Sequence, residues 1–510
     1  MLPRSLRRGL NAAFSMFVAV ACQAQPSSAP SPTRSESPAM APMAPTARRA
    51  FAVFADSLLA DRRFRSAHWG VLVVDPANGD TLYSRNAGKL FMPASNQKLL
   101  TGATALAQLG ADYRYTTRLL GASAPVEGIL TGDLVVVAAG DPTWSDSLAG
   151  GDVLVPMRAF ADSLAARGIR QVTGRLIRGG DHFPDSTLGF GWAWDDLDYS
   201  YSAPVDELFF NEGYARVTVY GGAKVGAPVS LRTSPSRVVP RLGPVSVITA
   251  DTGRSRVQWV GDVRGERPML SLSGSVRPRD SVTVEVALRD PAGAWLDAFH
   301  DVLRERGIRV SGGVESRLIA DTTGLSTLAT RQSPPLRAVL ARFEKPSQNQ
   351  LGELLFKTLG REKTGVGTAD SGRVVVERQL LAWGADSAGF AVRDGSGLSR
   401  HDYITPETIV RVLDAMRRHP DFAVFYESLP IAGVDGTIEQ RMRGTPAQGN
   451  LRAKTGTLDK ARALSGYLTT ADGRLLLVSM LANNHVTPNR EVERVQDAIV
   501  VWLASTRFER

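Results

Sequence analysis

Apolar and polar positions alternate in short runs near the start of the folded chain and settle into helical spacing later. In FAVFADSLLADRRF the apolar residues recur every three or four positions, which predicts a helix. WGVLVVD and TLYSRN read as strands, and the turn DPANGD between them is punctuated by Pro76 and Gly79. A helical run then follows Ser95. From about Leu120 to Asp290 the character changes: DLVVVAAG, ARVTVYGG, SVITAD, RVQWVGDV and SVTVEVAL are strand-like runs broken by Gly, Pro and Asp. Helical spacing returns in AWLDAFHDVLRERG, PLRAVLARFEK, QLGELLFKTLG, RVVVERQLLAWG and PETIVRVLDAMRRH. Strands in ALSGYLTTADGRLLLVSMLAN and a helix in REVERVQDAIVVWLAS close the chain.

This order predicts a mixed α/β domain split into residues 50–119 and 291–510, with a β-rich insertion over 120–290. Paired strands close in sequence favour an antiparallel sheet. No internal repeat is visible.

The first fifty residues are of another kind. MLPRSLRRGLNAAFSMFVAVACQAQ runs from arginines through an apolar stretch to small residues, the order of an export signal, read as residues 1–22. Residues 23–49 are rich in Pro, Ala and Ser and read as an extended tether. Cys22 is the only cysteine, so no internal disulfide and no cysteine-based metal site forms. It stands where a bacterial lipoprotein carries its lipid. Membrane anchoring through Cys22 and ordinary signal cleavage nearby are both open readings. Together these features predict an exported, periplasmic protein.

At 510 residues, 43% apolar and 22% charged, the chain has room for two or three globular domains. Its net charge of +9 is spread along the sequence. Without a basic-aromatic pattern it does not predict a nucleic-acid partner; an anionic wall or membrane surface suits it better. Oligomeric state is not legible.

Histidine occurs at six positions only, and none lies in a G-x-S-x-G or H-E-x-x-H motif. No phosphate-cradling loop is present, and neither a metal nor a cofactor is expected. A serine enzyme would then need lysine as its base. MPASNQKLL offers Ser95 and Lys98, which share one face at a helix start. An S-x-x-K spacing arises by chance about once in a chain of this size, so its company decides. Lysine becomes a base when burial or a neighbouring cation lowers its proton affinity. A helix N-terminus beside the serine favours a developing oxyanion.

Two further pieces complete this chemistry. EKPSQNQLGELL supplies Ser347 and Asn349 at a helix start. K-T-G occurs at Lys363, in what reads as a connector between helices, and at Lys454, before the strand-like ALSGYL. The second is the better candidate, because an edge strand can pair with an extended substrate and Gly456 would let that backbone approach.

With these motifs in this order, the chain from about Ala50 onward resembles the class C low-molecular-mass penicillin-binding D-alanyl-D-alanine carboxypeptidases/endopeptidases. GDLVVVAAGDPTW, YSAPVDELFFNEG, RDGSGLSRHDYITP, SLPIAGVDGTIEQR and the long gap between Ser95 and Ser347 carry the resemblance further. It implies a β-lactamase/transpeptidase-like domain acting on peptidoglycan peptides and acylated by β-lactams. It also implies roles: Ser95 as nucleophile, Lys98 as acylation base, and Ser347 as proton relay to the leaving amine. Lys454 would hold the local field, while Asn349 binds the substrate amide and orients Lys98. The N–H groups of Ser95 and Thr457 would form the oxyanion hole, and Thr455 and Thr457 would bind the terminal carboxylate. Gln348 and Gly352 depart from the family's usual Asp or Asn and Ala. Asp181, in the insert, is a candidate partner for a diamino-acid side chain. A wall-binding homologue without turnover, or a β-lactamase or esterase on the same fold, are the alternatives.

Overall fold

The computed structural model describes residues 45–508 apart from 123, 252 and 262–268. The export signal, Cys22, most of the tether and the end of RVQWVGDV lie outside the described residues.

One five-stranded antiparallel sheet joins the two ends of the folded chain. Its order is Arg452–Leu458, Ala461–Thr469, Leu475–Asn483, His68–Asp75, Asp80–Arg85. Both faces are covered, and the two-residue period of the strands sorts side chains between them. Val71, Val73, Leu464, Leu468, Val478 and Met480 pack against the helices Pro45–Leu59 and Asn489–Ser505. Leu72, Ala463, Tyr467, Leu477 and Leu481 face the opposite side, under Gln97–Leu109, Leu336–Glu344, Asn349–Thr364, Ala369–Ala382 and Pro406–Arg417.

The inserted part has its own core and a more mixed pairing than expected. A second five-stranded sheet has the order Val314–Ile319, Leu176–Gly179, Leu134–Val137, Thr116–Gly121, Ser326–Gln332. Two of its pairings are parallel. Three three-stranded sheets accompany it, and the helices Leu154–Ala165 and Pro291–Glu305 pack on each other through Phe160, Trp295 and Phe299.

The expected insert boundaries therefore shift. Thr116–Gly121 and Ser326–Gln332 pair with each other, and Pro291–Glu305 lies in the inserted core, so by pairing and packing this part runs from Thr116 to Gln332. Local patterning cannot reveal this, because the pairing partners are far apart in sequence. The first helix also begins earlier than expected, at Pro45, a position where the missing proline N–H costs nothing.

Candidate active site

Ser95 sits in a single 3-10 turn, Ala94–Asn96, that leads directly into the helix Gln97–Leu109. Two hydrogen bonds pin the turn to the sheet. Asn96 Nδ2 donates to Ser465 Oγ at 2.7 Å, and Asn483 Oδ1 accepts from the Met92 N–H at 2.7 Å. Ala94 has φ of 47°, a strained value for a residue with a side chain, held by these neighbours. Two glycines press on it. A Cβ on Gly397 would run into the Ala94 carbonyl, and one on Gly456 into the Pro93 carbonyl. Gly456 is thus needed for the fit between its strand and the Ser95 turn, which differs from the substrate contact expected of it.

Lys98 is fully buried, and its Nζ lies among three oxygens. It is 3.1 Å from Ser95 Oγ, 2.6 Å from Asn349 Oδ1 and 2.7 Å from the Ser396 carbonyl. Asn349 Oδ1 and the Ser396 carbonyl can only accept, whereas the Ser95 hydroxyl can also donate. A neutral amine has two N–H donors and one lone pair. Nζ stands as donor to the Ser95 Oγ; in its neutral form it would satisfy the two carbonyls with its N–H groups and accept the Ser95 O–H with its lone pair. Burial, and next the Lys454 charge, bring the Lys98 proton affinity down to about 7.

Lys454 approaches from the sheet's edge strand. Its Nζ donates to Ser347 Oγ at 2.8 Å and to the Thr455 carbonyl at 3.0 Å. Burial lowers it to about 8, opposed by the Glu344 carboxylate. Thr455 is half-buried and its hydroxyl donates to Thr437 Oγ1 at 2.6 Å, while Thr457 is exposed at the strand's solvent side. Direct hydrogen bonds thereby link Ser95, Lys98 and Asn349 into a triad and Ser347 and Lys454 into a pair, with Thr455, Gly456 and Thr457 on the strand that carries Lys454.

Lys363 is elsewhere. It is exposed in the last turn of Asn349–Thr364, not in a connector, and Gly365 follows as the left-handed C-cap with φ of 86°. That K-T-G is a helix ending.

Contacts from the insert hold the Ser347–Asn349 loop in ways the sequence did not disclose. Asn349 Nδ2 donates to the Tyr201 carbonyl at 2.7 Å, and Gln350 Nε2 to the Ser200 carbonyl at 3.0 Å. Gln348 caps its helix: Oε1 accepts from the Gln350 N–H at 2.7 Å while Nε2 donates to the Glu212 carbonyl at 3.1 Å. Gln at this position thus caps and also tethers. Gly352 has a reason too, since a Cβ there would stand 2.9 Å from the Gly395 carbonyl.

The DGSGLSR segment backs Lys98. Asp394 accepts from the N–H groups of Gly397 and Ser399, both at 2.7 Å, and from Trp192 Nε1 of the insert at 3.0 Å. This holds the loop that presents the Ser396 carbonyl. Asp402, buried beside Asp394, has its carboxyl pushed well above the usual range by burial and then by that neighbour. Asp181 is exposed and lies beside His182 and Glu207, not among the site residues. Asp196, which accepts from the Tyr201 hydroxyl at 2.7 Å, is the insert acid tied to the residue that contacts Asn349.

Residues 53–506 match the D-Ala-D-Ala carboxypeptidase 3 (S13) family. A D-alanyl-D-alanine carboxypeptidase of Actinomadura sp. (strain R39) is 36% identical over 464 residues, spanning 88% of this chain and 83% of that one. Among solved structures, penicillin binding protein 4 (dacB) from Haemophilus influenzae superposes with a TM-score of 0.76 at 24% identity, covering 89% of this chain and 99% of that one. A complex of that protein with a β-lactam gives 0.68 at 23% identity, covering 87% and 98%. Both structures share the fold. The breadth of the family match and of the Actinomadura likeness leads to one conclusion: the chain is a peptidase belonging to the D-Ala-D-Ala carboxypeptidase 3 (S13) family, among the penicillin-binding carboxypeptidases that its motifs resemble.

Proposed function

We propose that the protein is an exported serine carboxypeptidase/endopeptidase of peptidoglycan peptides that works through an acyl-enzyme on Ser95. The observation that carries this is the setting of Lys98 Nζ, between two obligate acceptors and one hydroxyl. The neutral amine takes the Ser95 proton as Oγ attacks the carbonyl between two D-alanines. The backbone N–H groups of Ser95 and Thr457 receive the oxyanion.

Ser347, held by Lys454, relays to the departing amine the proton that Lys98 took from Ser95, so that Lys98 is neutral again as the terminal D-alanine leaves. Asn349 orients Lys98 and binds the substrate amide. Thr455 and Thr457 hold the terminal carboxylate, beside the close-packed Gly456. Water then attacks the ester, a proton returns to Ser95 Oγ through Lys98, and the shortened peptide is released. A β-lactam forms the same ester, and the crystallised β-lactam complex of the Haemophilus influenzae protein supports that expectation.

The test is release of D-alanine from a peptide ending in D-Ala-D-Ala, compared with Ser95→Ala. Release by the wild type alone is expected. A wild type that releases nothing and leaves penicillin intact would point to a wall-binding protein. Rapid penicillin hydrolysis without D-alanine release would point to a β-lactamase.

A further inference from the structure

Glu344 ends the helix Leu336–Glu344, three residues before Ser347, and the proposed reaction does not use it. Its side chain is fully buried, and neither carboxyl oxygen has a hydrogen-bond partner among the described residues. A buried carboxyl is ordinarily ringed by donors. Packing fixes where this one points. Gly102 lies one turn beyond Lys98 on the same helix, and a Cβ there would stand 2.8 Å from Glu344 Oε1. On the other side the Glu344 carbonyl accepts from the Ser347 N–H at 3.2 Å, and Ser347 Oγ accepts from Lys454 Nζ. The carboxyl group therefore lies against the Lys98 helix, while the Glu344 backbone adjoins the loop that receives Lys454.

We propose that Glu344 is the internal counter-ion of the two buried lysines, a positioning residue that keeps Lys454 protonated while Lys98 is neutral. Two ammonium groups buried together repel each other, and one carboxylate compensates one of them. With Glu344 ionised, the cluster is neutral when it holds a single lysine proton.

The surrounding charges assign that proton to Lys454. Glu344 is the charged group acting on Lys454. Lys98 is pushed down by Lys454, against Glu344, Asp394 of the DGSGLSR loop and Glu353 of the helix Asn349–Thr364. Lys454 and then Lys98 are the cations that oppose the burial of Glu344, whose carboxyl is raised by that burial to about 7.

This inference rests on the Ser95 chemistry proposed above, and its test separates the two. Glu344→Gln keeps the shape and removes the charge. The rate of acylation by a chromogenic cephalosporin would be followed against pH. Without the carboxylate, Lys454 releases its proton at lower pH, so the alkaline limb is expected to move down by about one unit or more. Limbs that stay in place, whether the rate is unchanged or lowered evenly at every pH, would overturn the idea.

A second readout does not depend on activity: thermal melting at pH 7 of Glu344→Gln, Lys454→Met and the double variant. Lys454→Met strands a buried carboxylate, and removing that charge as well should raise the melting temperature above that of Lys454→Met alone. Additive losses would overturn the counter-ion. Coupled losses in a protein that forms no acyl-enzyme would uphold it and sink the acyl-enzyme reading instead.

Discussion

Lys98→Met separates the energetic cost of the buried lysine from its chemistry. Native Lys98 holds its proton to about 7, against 10.5 for an unperturbed lysine. Between those values the unfolded chain binds one proton more than the native protein. Stability therefore rises with pH through this window, by up to about 1.4 kcal/mol per unit. The cost of burying Lys98 is full below pH 7, stands at about 4 kcal/mol there, and vanishes above about pH 10.5.

Methionine carries no proton and leaves Asn349 Oδ1 and the Ser396 carbonyl without their donor, a loss of about 1–3 kcal/mol each that does not vary with pH. Urea unfolding of both proteins at pH 7 and pH 9 should show the wild type gaining about 2 kcal/mol on the variant over that interval. Acylation by penicillin should be lost in the variant at every pH. A stability difference that does not change between pH 7 and 9 would refute a lysine that is neutral in the native protein, whatever the activity.

Gly456→Ala forces a methyl group against the Pro93 carbonyl and should cost about 1–3 kcal/mol in a melt while slowing acylation at least about tenfold, since Ser95 sits on that turn. An unchanged rate would mean the turn tolerates the shift. Lys363→Ala should leave acylation unaltered and cost only about 0.3–1 kcal/mol of stability, as expected for a cation near a helix C-terminus; loss of activity would reverse the choice between the two K-T-G segments. Trp192→Phe removes the insert's donor to Asp394, and should lower stability by about 1–2 kcal/mol and slow acylation by loosening the Ser396 carbonyl behind Lys98.

Features encoded locally were legible in the sequence. The apolar strand-like runs at 463–468 and 476–482 announce the central strands, and the spacing of Ser95 and Lys98 announces a shared helix face. Features set by distant partners were not. Ser326–Gln332 has an ordinary strand pattern, and only its pairing with Thr116–Gly121 tells which sheet it joins. The purpose of Gly456 depended on the Pro93 backbone, and the hold of Tyr201 on Asn349 passes through a main-chain carbonyl, which leaves no trace in residue type. By residue type Glu344 is an ordinary acidic helix end, and only tertiary packing buries it against the Lys98 helix. Lys363 and Lys454 sat in the same tripeptide; the left-handed Gly365 that ends a helix distinguishes them.

The most direct measurement is the intact mass of the mature protein after incubation with benzylpenicillin, with Ser95→Ala treated alongside. A persistent one-to-one penicilloyl adduct on the wild type and none on the variant is the predicted result. An equal adduct on both proteins, or an unmodified wild type in the presence of intact drug, would contradict the assignment of Ser95 as the nucleophile.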